Sequence, residues 1–247
     1  MNSETKIKIK ASKLTHTYML GTNTITSINQ IDFDIQEDSL VVVKGHPGSG
    51  KTTLLALIAG IERPTSGKLI VNSYNLTDIN QNDMLKYRRK IIGSVFQSFN
   101  LIQSLPVLEN VSLPALLNGE TKQNAHHKAK EVLHWLNLNN CIDSYPSTLQ
   151  PIDIQRVLIA RSLINNPEII VIDNPTYRLD SNQGQIVIEF ITTIYEQLSR
   201  TIIITTHTEW VDQFATQVIF LKDGKIEKQI EKPIEEKEEE EEPICIT

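Results

Sequence analysis

The segment Leu40-Val41-Val42-Val43-Lys44-Gly45-His46-Pro47-Gly48-Ser49-Gly50-Lys51-Thr52 joins two different patterns through a turn rich in glycine. Residues 40–44 form a continuous apolar run, as a strand buried on both faces does. Residues 52–59 carry helical spacing. Between them, glycines at 45, 48 and 50 let the backbone curl so that its N–H groups point inward, a concavity that suits an anion. The helix that follows adds the partial positive charge of its first turn.

The spacing G-x-x-x-x-G-K-[ST] is complete, and a chance glycine-rich turn is not expected between a buried strand and a helix. The expectation is a triphosphate cradle built from Gly45, His46, Pro47, Gly48, Ser49, Gly50, Lys51, Thr52 and Thr53. Lys51 would reach the β- and γ-phosphates, and the Thr52 hydroxyl would hold magnesium. The loop alone leaves kinases, GTPases and motor proteins open, so the rest of the chain has to decide.

Outward from the loop, residues 6–10 alternate, and residues 25–35 alternate again around Asp32 and Asp34, as short strands do. Residues 67–71 and 91–96 read as further strands. Residues 107–117, 123–138 and 154–164 carry helical spacing, with Val132, Leu133 and Leu136 on one face, and only loops between them. A helical subdomain inserted at about residues 98–165 is therefore expected. Beyond it, a buried strand is expected at 168–173, a helix at 182–198, a strand at 201–206 and a helix near 209–214. A last strand pair, 217–221 and 225–228, turns at Asp223-Gly224. The class is α/β, a mostly parallel sheet with an antiparallel flank, and no internal repeat is present.

Length suits one large domain: 247 residues, 40% hydrophobic and 6% aromatic. No run approaches the ~18–20 apolar residues of a membrane span, and Met1-Asn2-Ser3-Glu4-Thr5-Lys6 has no apolar secretory core. Work at a membrane would then need a partner. Two cysteines, Cys141 and Cys245, cannot make a disulfide framework, which points to inert free thiols and a reducing, cytoplasmic setting. The net charge of −6 belongs to residues 231–247, with eight glutamates and two lysines; residues 1–230 hold 22 basic and 22 acidic residues. The balanced body gives no support for nucleic-acid binding, and the glutamate-rich tail is expected to be disordered.

Ile169-Ile170-Val171-Ile172-Asp173 supplies an apolar strand ending in an aspartate able to support magnesium. From that point residues 4–230 resemble the ABC ATPase family. Val95-Phe96-Gln97-Ser98-Phe99-Asn100-Leu101 is similar to the family's Q-loop, which implies Gln97 near magnesium and near a membrane partner. Residues 155–163 resemble the helix after the family signature, and Asn174-Pro175-Thr176 through Leu179-Asp180-Ser181 the D-loop region. Thr205-Thr206-His207 resembles the switch histidine, and Tyr18 sits where an aromatic would stack on adenine. Asn100-Leu101, Leu108-Glu109-Asn110-Val111 and Leu113-Pro114 are similar to the branch that drives lipoprotein release and macrolide export. The resemblance implies ATP and Mg2+ as cofactors, with Thr52, Gln97 and Asp173 at the metal. It also implies a transmembrane permease partner, a second ATPase subunit (the same or different) and a cytoplasmic position on the membrane.

Two departures bear on activity. The family's glutamate after the strand-end aspartate, which polarises the attacking water, is here Asn174, whose amide cannot accept a proton. The Leu-Ser-Gly-Gly signature reads Leu149-Gln150-Pro151-Ile152-Asp153. Pro151 has no N–H to offer a phosphate and Ile152 adds a branched side chain where close approach is needed, while Asp153 is expected to cap the helix. Weak or absent hydrolysis is the expectation, with a non-hydrolysing regulatory or scaffold subunit as the alternative. Other candidates are weaker: His126-His127 is expected to be solvent-exposed, Lys86, Arg88, Arg89 and Lys90 to form a solvated basic face, and Tyr177-Arg178 to be open to a docking role.

Overall fold

A computed structural model describes residues 6–97 and 101–232. The expected disordered tail, Cys245, the first five residues and Ser98-Phe99-Asn100 of the Q-loop segment lie outside the described residues, and with them the start of the expected helical subdomain.

The chain opens with a long hairpin, β1 (Ile7–Leu20) and β2 (Asn23–Gln36), which turns at Gly21 and is far longer than the alternation in 6–10 foretold. Register shifts between Ala11 and Leu14 and around His16, together with Lys13 at φ 47°, break the period-2 pattern and hide the strand. β3 (Leu40–Lys44) and α1 (Lys51–Ile58) flank the phosphate loop as expected. β4 (Ser66–Val71) and the two-residue β5 (Tyr74–Asn75) follow.

Helix α2 (Gln81–Lys90) was not foreseen, and the whole basic face Lys86, Arg88, Arg89 and Lys90 lies on it. The Asn80 side chain caps it by accepting from the Asp83 N–H at 3.0 Å. Only Met84 and Tyr87 of its residues are buried, too few to show a periodic stripe. Arg88, Arg89 and Lys90 in its last turn complement the helix dipole.

After β6 (Ile92–Val95) come α3 (Val107–Leu117), α4 (Lys122–Trp135) and α5 (Pro151–Leu163). Asn110, fully buried on α3, accepts from the Ile102 N–H at 2.7 Å and donates to the carbonyls of Ile102, Leu105 and Pro106, lashing the preceding loop to the helix. His126 is not solvent-exposed as expected: its Nε2 lies 3.2 Å from Glu109 of α3, and its side chain is 23% accessible.

β7 (Ile169–Asp173), α6 (Ser181–Leu198) and β8 (Thr201–Thr205) match expectation closely, and the Asp180 side chain caps α6. Residues Glu209–Phe214 form a 3₁₀ segment rather than an α-helix, with only Val211 buried. β9 (Gln217–Lys222) and β10 (Lys225–Glu231) close the fold, with Asp223 and Gly224 both at positive φ in their turn.

Two sheets result. The first, β2-β1-β4-β5, is antiparallel; the second runs β10-β9-β3-β8-β7-β6 and is parallel except for β10. Alternate residues of β3 face two cores, which is why residues 40–43 are all apolar. Val41 and Val43 meet α1 and the antiparallel sheet, while Leu40 and Val42 meet the core shared with α3, α4, α5 and α6. β3 thus lies centrally, with β8 and β9 beside it, and the phosphate loop leaves its carboxyl end, where ligands of open α/β sheets bind.

Candidate functional site

The loop after β3 owes its shape to glycine. Gly50 has φ 102°, and a Cβ there would lie 2.5 Å from the Ser27 carbonyl of β2. Gly45, at φ 153°, is pressed against the Leu221 carbonyl and Ser49, so a side chain is excluded there too. Neither could be replaced without moving backbone.

Inside the loop, Lys51 is buried and donates to the carbonyls of Gly45 at 2.6 Å and His46 at 2.9 Å. Among the described residues, none of its hydrogen bonds is to a carboxylate. Burial holds the ammonium below the usual lysine range, and the field of Asp173 opposes that only in part. A desolvated cation in a glycine-rich loop at a helix N-terminus is complementary to a polyanion.

Thr52, at the start of α1, donates its hydroxyl to Asp173 Oδ2 at 2.9 Å. Asp173 ends β7 and is almost wholly buried. Its other oxygen accepts from the Thr205 hydroxyl at 2.6 Å. Hydroxyl and carboxylate oxygens around one point form a hard-oxygen donor set of the kind magnesium takes, alongside phosphate oxygens. The residues therefore fit both a triphosphate and its metal.

A cleft of about 360 Å³ brings most of the expected residues together. Pro47, Gly48, Gly50, Lys51, Thr52 and Thr53 line it with Gln97, Asp173, Asn174 and His207. Gly45 and His46 contribute carbonyls to Lys51 instead, and Ser49 is buried beneath. Tyr18 does not line the cleft. Its hydroxyl lies 3.4 Å from the Thr53 hydroxyl and its ring packs edge-on to His16, which places it at the margin of the loop.

Burial first and the Lys51 ammonium second hold the His207 imidazole below its usual range, so it is neutral near pH 7. Asn174 has φ 51°, a left-handed conformation that asparagine tolerates better than most residues. Its backbone N–H donates to the Thr205 hydroxyl at 2.8 Å, and the neighbouring Asp173 carboxylate accepts from two hydroxyls.

Three cleft residues carry no signal in the sequence that could have found their roles. Ser27 belongs to an alternating strand, yet its hydroxyl lies 2.6 Å from that of Thr53. Thr205 reads only as part of the strand 201–206 and of the segment leading to His207, and Tyr177 only with Arg178 as open to docking, yet both line the cleft. A second space of about 460 Å³ continues past Asn174 and Tyr177 toward Pro151 and Ile154 of α5.

The segment expected in the place of the signature leads into and forms the start of α5. Gln150 is the cap and makes no side-chain capping bond, and Pro151 is the first helical residue. Asp153 is therefore not the cap that was expected, because proline starts the helix two residues earlier. It sits in the first turn, 3.8 Å from Arg156.

Comparison with known proteins converges on one family. A family model described as ABC transporter matches residues 28–177. An uncharacterized ABC transporter ATP-binding protein of Methanocaldococcus jannaschii, MJ0796, is 34% identical over 225 residues, covering 90% of this chain and 96% of that protein. The lipoprotein-releasing system ATP-binding protein LolD of Buchnera aphidicola is 31% identical over 89% of this chain and 96% of its own length. The macrolide export ATP-binding/permease protein MacB of Campylobacter jejuni is 39% identical over 84% of this chain but only 32% of that longer protein. The dimeric, post-hydrolysis structure of MJ0796 bound to ADP and Pi superposes with a TM-score of 0.83, covering 90% of this chain and 98% of that one.

Proposed function

The chain belongs to the ABC transporter family as an ATP-binding subunit, and we propose that it holds Mg-ATP at residues 45–53 and closes around it with little or no hydrolysis. Asn174, at the point where β7 delivers its last residue into the cleft, is the observation that carries this reading.

The binding half follows from the loop. Amide N–H groups and Lys51 would receive the β- and γ-phosphates, with the Lys51 ammonium leaving the Gly45 and His46 carbonyls to do so. Thr52 and Asp173, with Gln97 opposite, would hold Mg2+, which supplies charge neutralisation on the phosphates. Tyr18, at the margin beside Thr53, is the residue proposed to meet the adenine.

The chemical half fails at two places. A neutral amide at 174 can orient water but cannot take its proton, and loss of a positioned base lowers rate by roughly 10²–10⁴-fold. His207 lines the cleft and would contact the terminal phosphate. MJ0796 is dimeric in its ADP- and Pi-bound structure; in a head-to-tail dimer of this chain the phosphate would face the first turn of α5. There Pro151 presents no N–H and Ile152 adds a branched side chain where close approach is needed.

MacB is named an export ATP-binding/permease protein and LolD a component of a lipoprotein-releasing system, so a transmembrane permease and a second ATPase subunit are the proposed partners. With such a permease the subunit would sit peripherally on the cytoplasmic face of a membrane. A second reading, a regulatory or scaffold subunit that uses ATP only to stabilise an assembly, is favoured by the same paired departures, since ATP that prefers one assembly stabilises it without being cleaved.

The experiment is turnover of the purified protein beside a variant carrying Asn174→Glu with Gln150→Ser, Pro151→Gly and Ile152→Gly. The variant is expected to hydrolyse at least ~10²-fold faster. Fast turnover by the unmodified protein, abolished by Lys51→Ala, would refute the proposal.

A further inference from the structure

The parallel pairing of β7 with β8 sets Asp173 opposite Thr205 at the strand ends, and both side chains are buried. The Thr205 hydroxyl lies 2.6 Å from Asp173 Oδ1 and 2.8 Å from the Asn174 backbone nitrogen. A backbone N–H can only donate and a carboxylate can only accept. The single hydroxyl hydrogen of Thr205 is therefore committed to Asp173, and one of its lone pairs receives Asn174. The Asn174 N–H is also 3.1 Å from the Thr205 carbonyl, which makes the tie twofold.

The other carboxylate oxygen is fixed in the same way. Thr52 donates to Asp173 Oδ2 at 2.9 Å, so the lone pairs of the Thr52 hydroxyl remain to face the cleft. Thr205, Asp173 and Thr52 thus form one chain of hydroxyl donors on a carboxylate, and its orientation is set from the Thr205 end. Lys51 lines the same cleft as Asp173, so a carboxylate released from Thr205 has a competing cation to turn toward.

We propose that Thr205 is a positioning residue for the metal of the bound nucleotide: its hydroxyl aims the Asp173 carboxylate at Thr52 and away from Lys51, and fixes the backbone of residue 174 in the same act. Thr205 itself touches neither nucleotide nor metal. The proposal rests on Mg-ATP binding at the loop. A purely structural Thr205, fastening β7 to β8, would influence thermal stability and leave the metal requirement as it was.

The test is binding of a fluorescent ATP analogue to the full chain, first in EDTA and then across a Mg2+ titration, for wild type, Thr205→Val and Thr205→Ser. The valine variant keeps the shape and loses the hydroxyl. It is expected to bind nucleotide as wild type does in EDTA, while its Mg2+ midpoint rises roughly 10-fold to 100-fold, the loss seen when a partner of a metal ligand is removed. The serine variant restores the hydroxyl and is expected to return the midpoint to within a few-fold of wild type.

A folded Thr205→Val protein with an unchanged Mg2+ midpoint would overturn the proposal, even if its melting temperature fell. Should valine prevent folding, judged by circular dichroism, Thr205→Ala enters the same titration under the same criteria. Wild type that binds no nucleotide with or without Mg2+ would overturn the Mg-ATP reading and the role of Thr205 with it. That outcome is recognised because wild type itself is silent.

Discussion

At the scale of single residues, the site depends on Gly50 and His207 in different ways. An alanine at 50 would put a Cβ 2.5 Å from the Ser27 carbonyl at a φ of 102°. Gly50→Ala is expected to abolish nucleotide binding and to lower stability by about 1–3 kcal/mol, measured by calorimetry and urea unfolding. His207 titrates below the ordinary imidazole value of 6.5 in the folded protein. Below pH 6.5 the unfolded chain therefore binds more protons there than the folded one, so this contribution to stability is present above 6.5 and declines as pH falls toward the folded value. Bound phosphates would reverse the preference, and ATP binding is expected to take up a proton between those two values. Affinity should rise modestly as pH falls through that window, modestly because the ring is largely solvent-exposed, and His207→Ala should flatten the profile. Gly45, Lys51, Thr52, Asp173, Asn174 and His207 were legible in the sequence because each stands in a motif with a fixed offset. Ser27 and Thr205 were not, because a hydroxyl on a strand acquires its role from the neighbour that pairing brings to it.

At the scale of elements, the strands flanking the phosphate loop announced themselves by unbroken apolar runs, and α3, α4 and α6 by their stripes. Helix α2 hid because it covers the core with only Met84 and Tyr87, and β1 hid because its bulges reset the alternation. Residues 102–106, ahead of α3, are held by Asn110, which makes hydrogen bonds to Ile102, Leu105 and Pro106 while fully buried. Asn110→Ala would strand an N–H and at least two carbonyls in the core, and should destabilise the protein by about 2–4 kcal/mol in urea unfolding, with little change in ATP affinity for the folded fraction. Comparable loss of affinity in that variant would show that this loop belongs to the site.

At the scale of the whole molecule, two sheets share α1 as a common core, so nucleotide seated on the loop at its N-terminus bears on both layers. Binding at 100 times the dissociation constant adds ~2.7 kcal/mol, and melting temperature should rise by roughly 5–10 °C with Mg-ATP. Lys51→Ala should erase that shift. A distant tie in the same frame is Lys8, buried on β1, whose ammonium meets Glu37 at 2.8 Å and Glu168 at 2.6 Å. Both carboxylates draw its pKa upward against the opposing effect of burial. Lys8→Met should lower stability by about 1–2 kcal/mol, less than a fully buried pair because both glutamates are partly solvated. The class, the parallel sheet and its antiparallel flank were readable from the order of patterns along the chain. The sheet order was not, because which strands neighbour β3 is decided by how the helices cover both faces.

The most direct test follows labelled ATP through a single encounter. Protein in excess is mixed with γ-³²P-ATP and Mg2+, and samples are quenched in acid to separate free phosphate from ATP, with retained label counted in parallel. The label should be retained and stay as ATP over many minutes. Phosphate released within seconds, or no label retained at all, would contradict a chain that grips ATP without cleaving it.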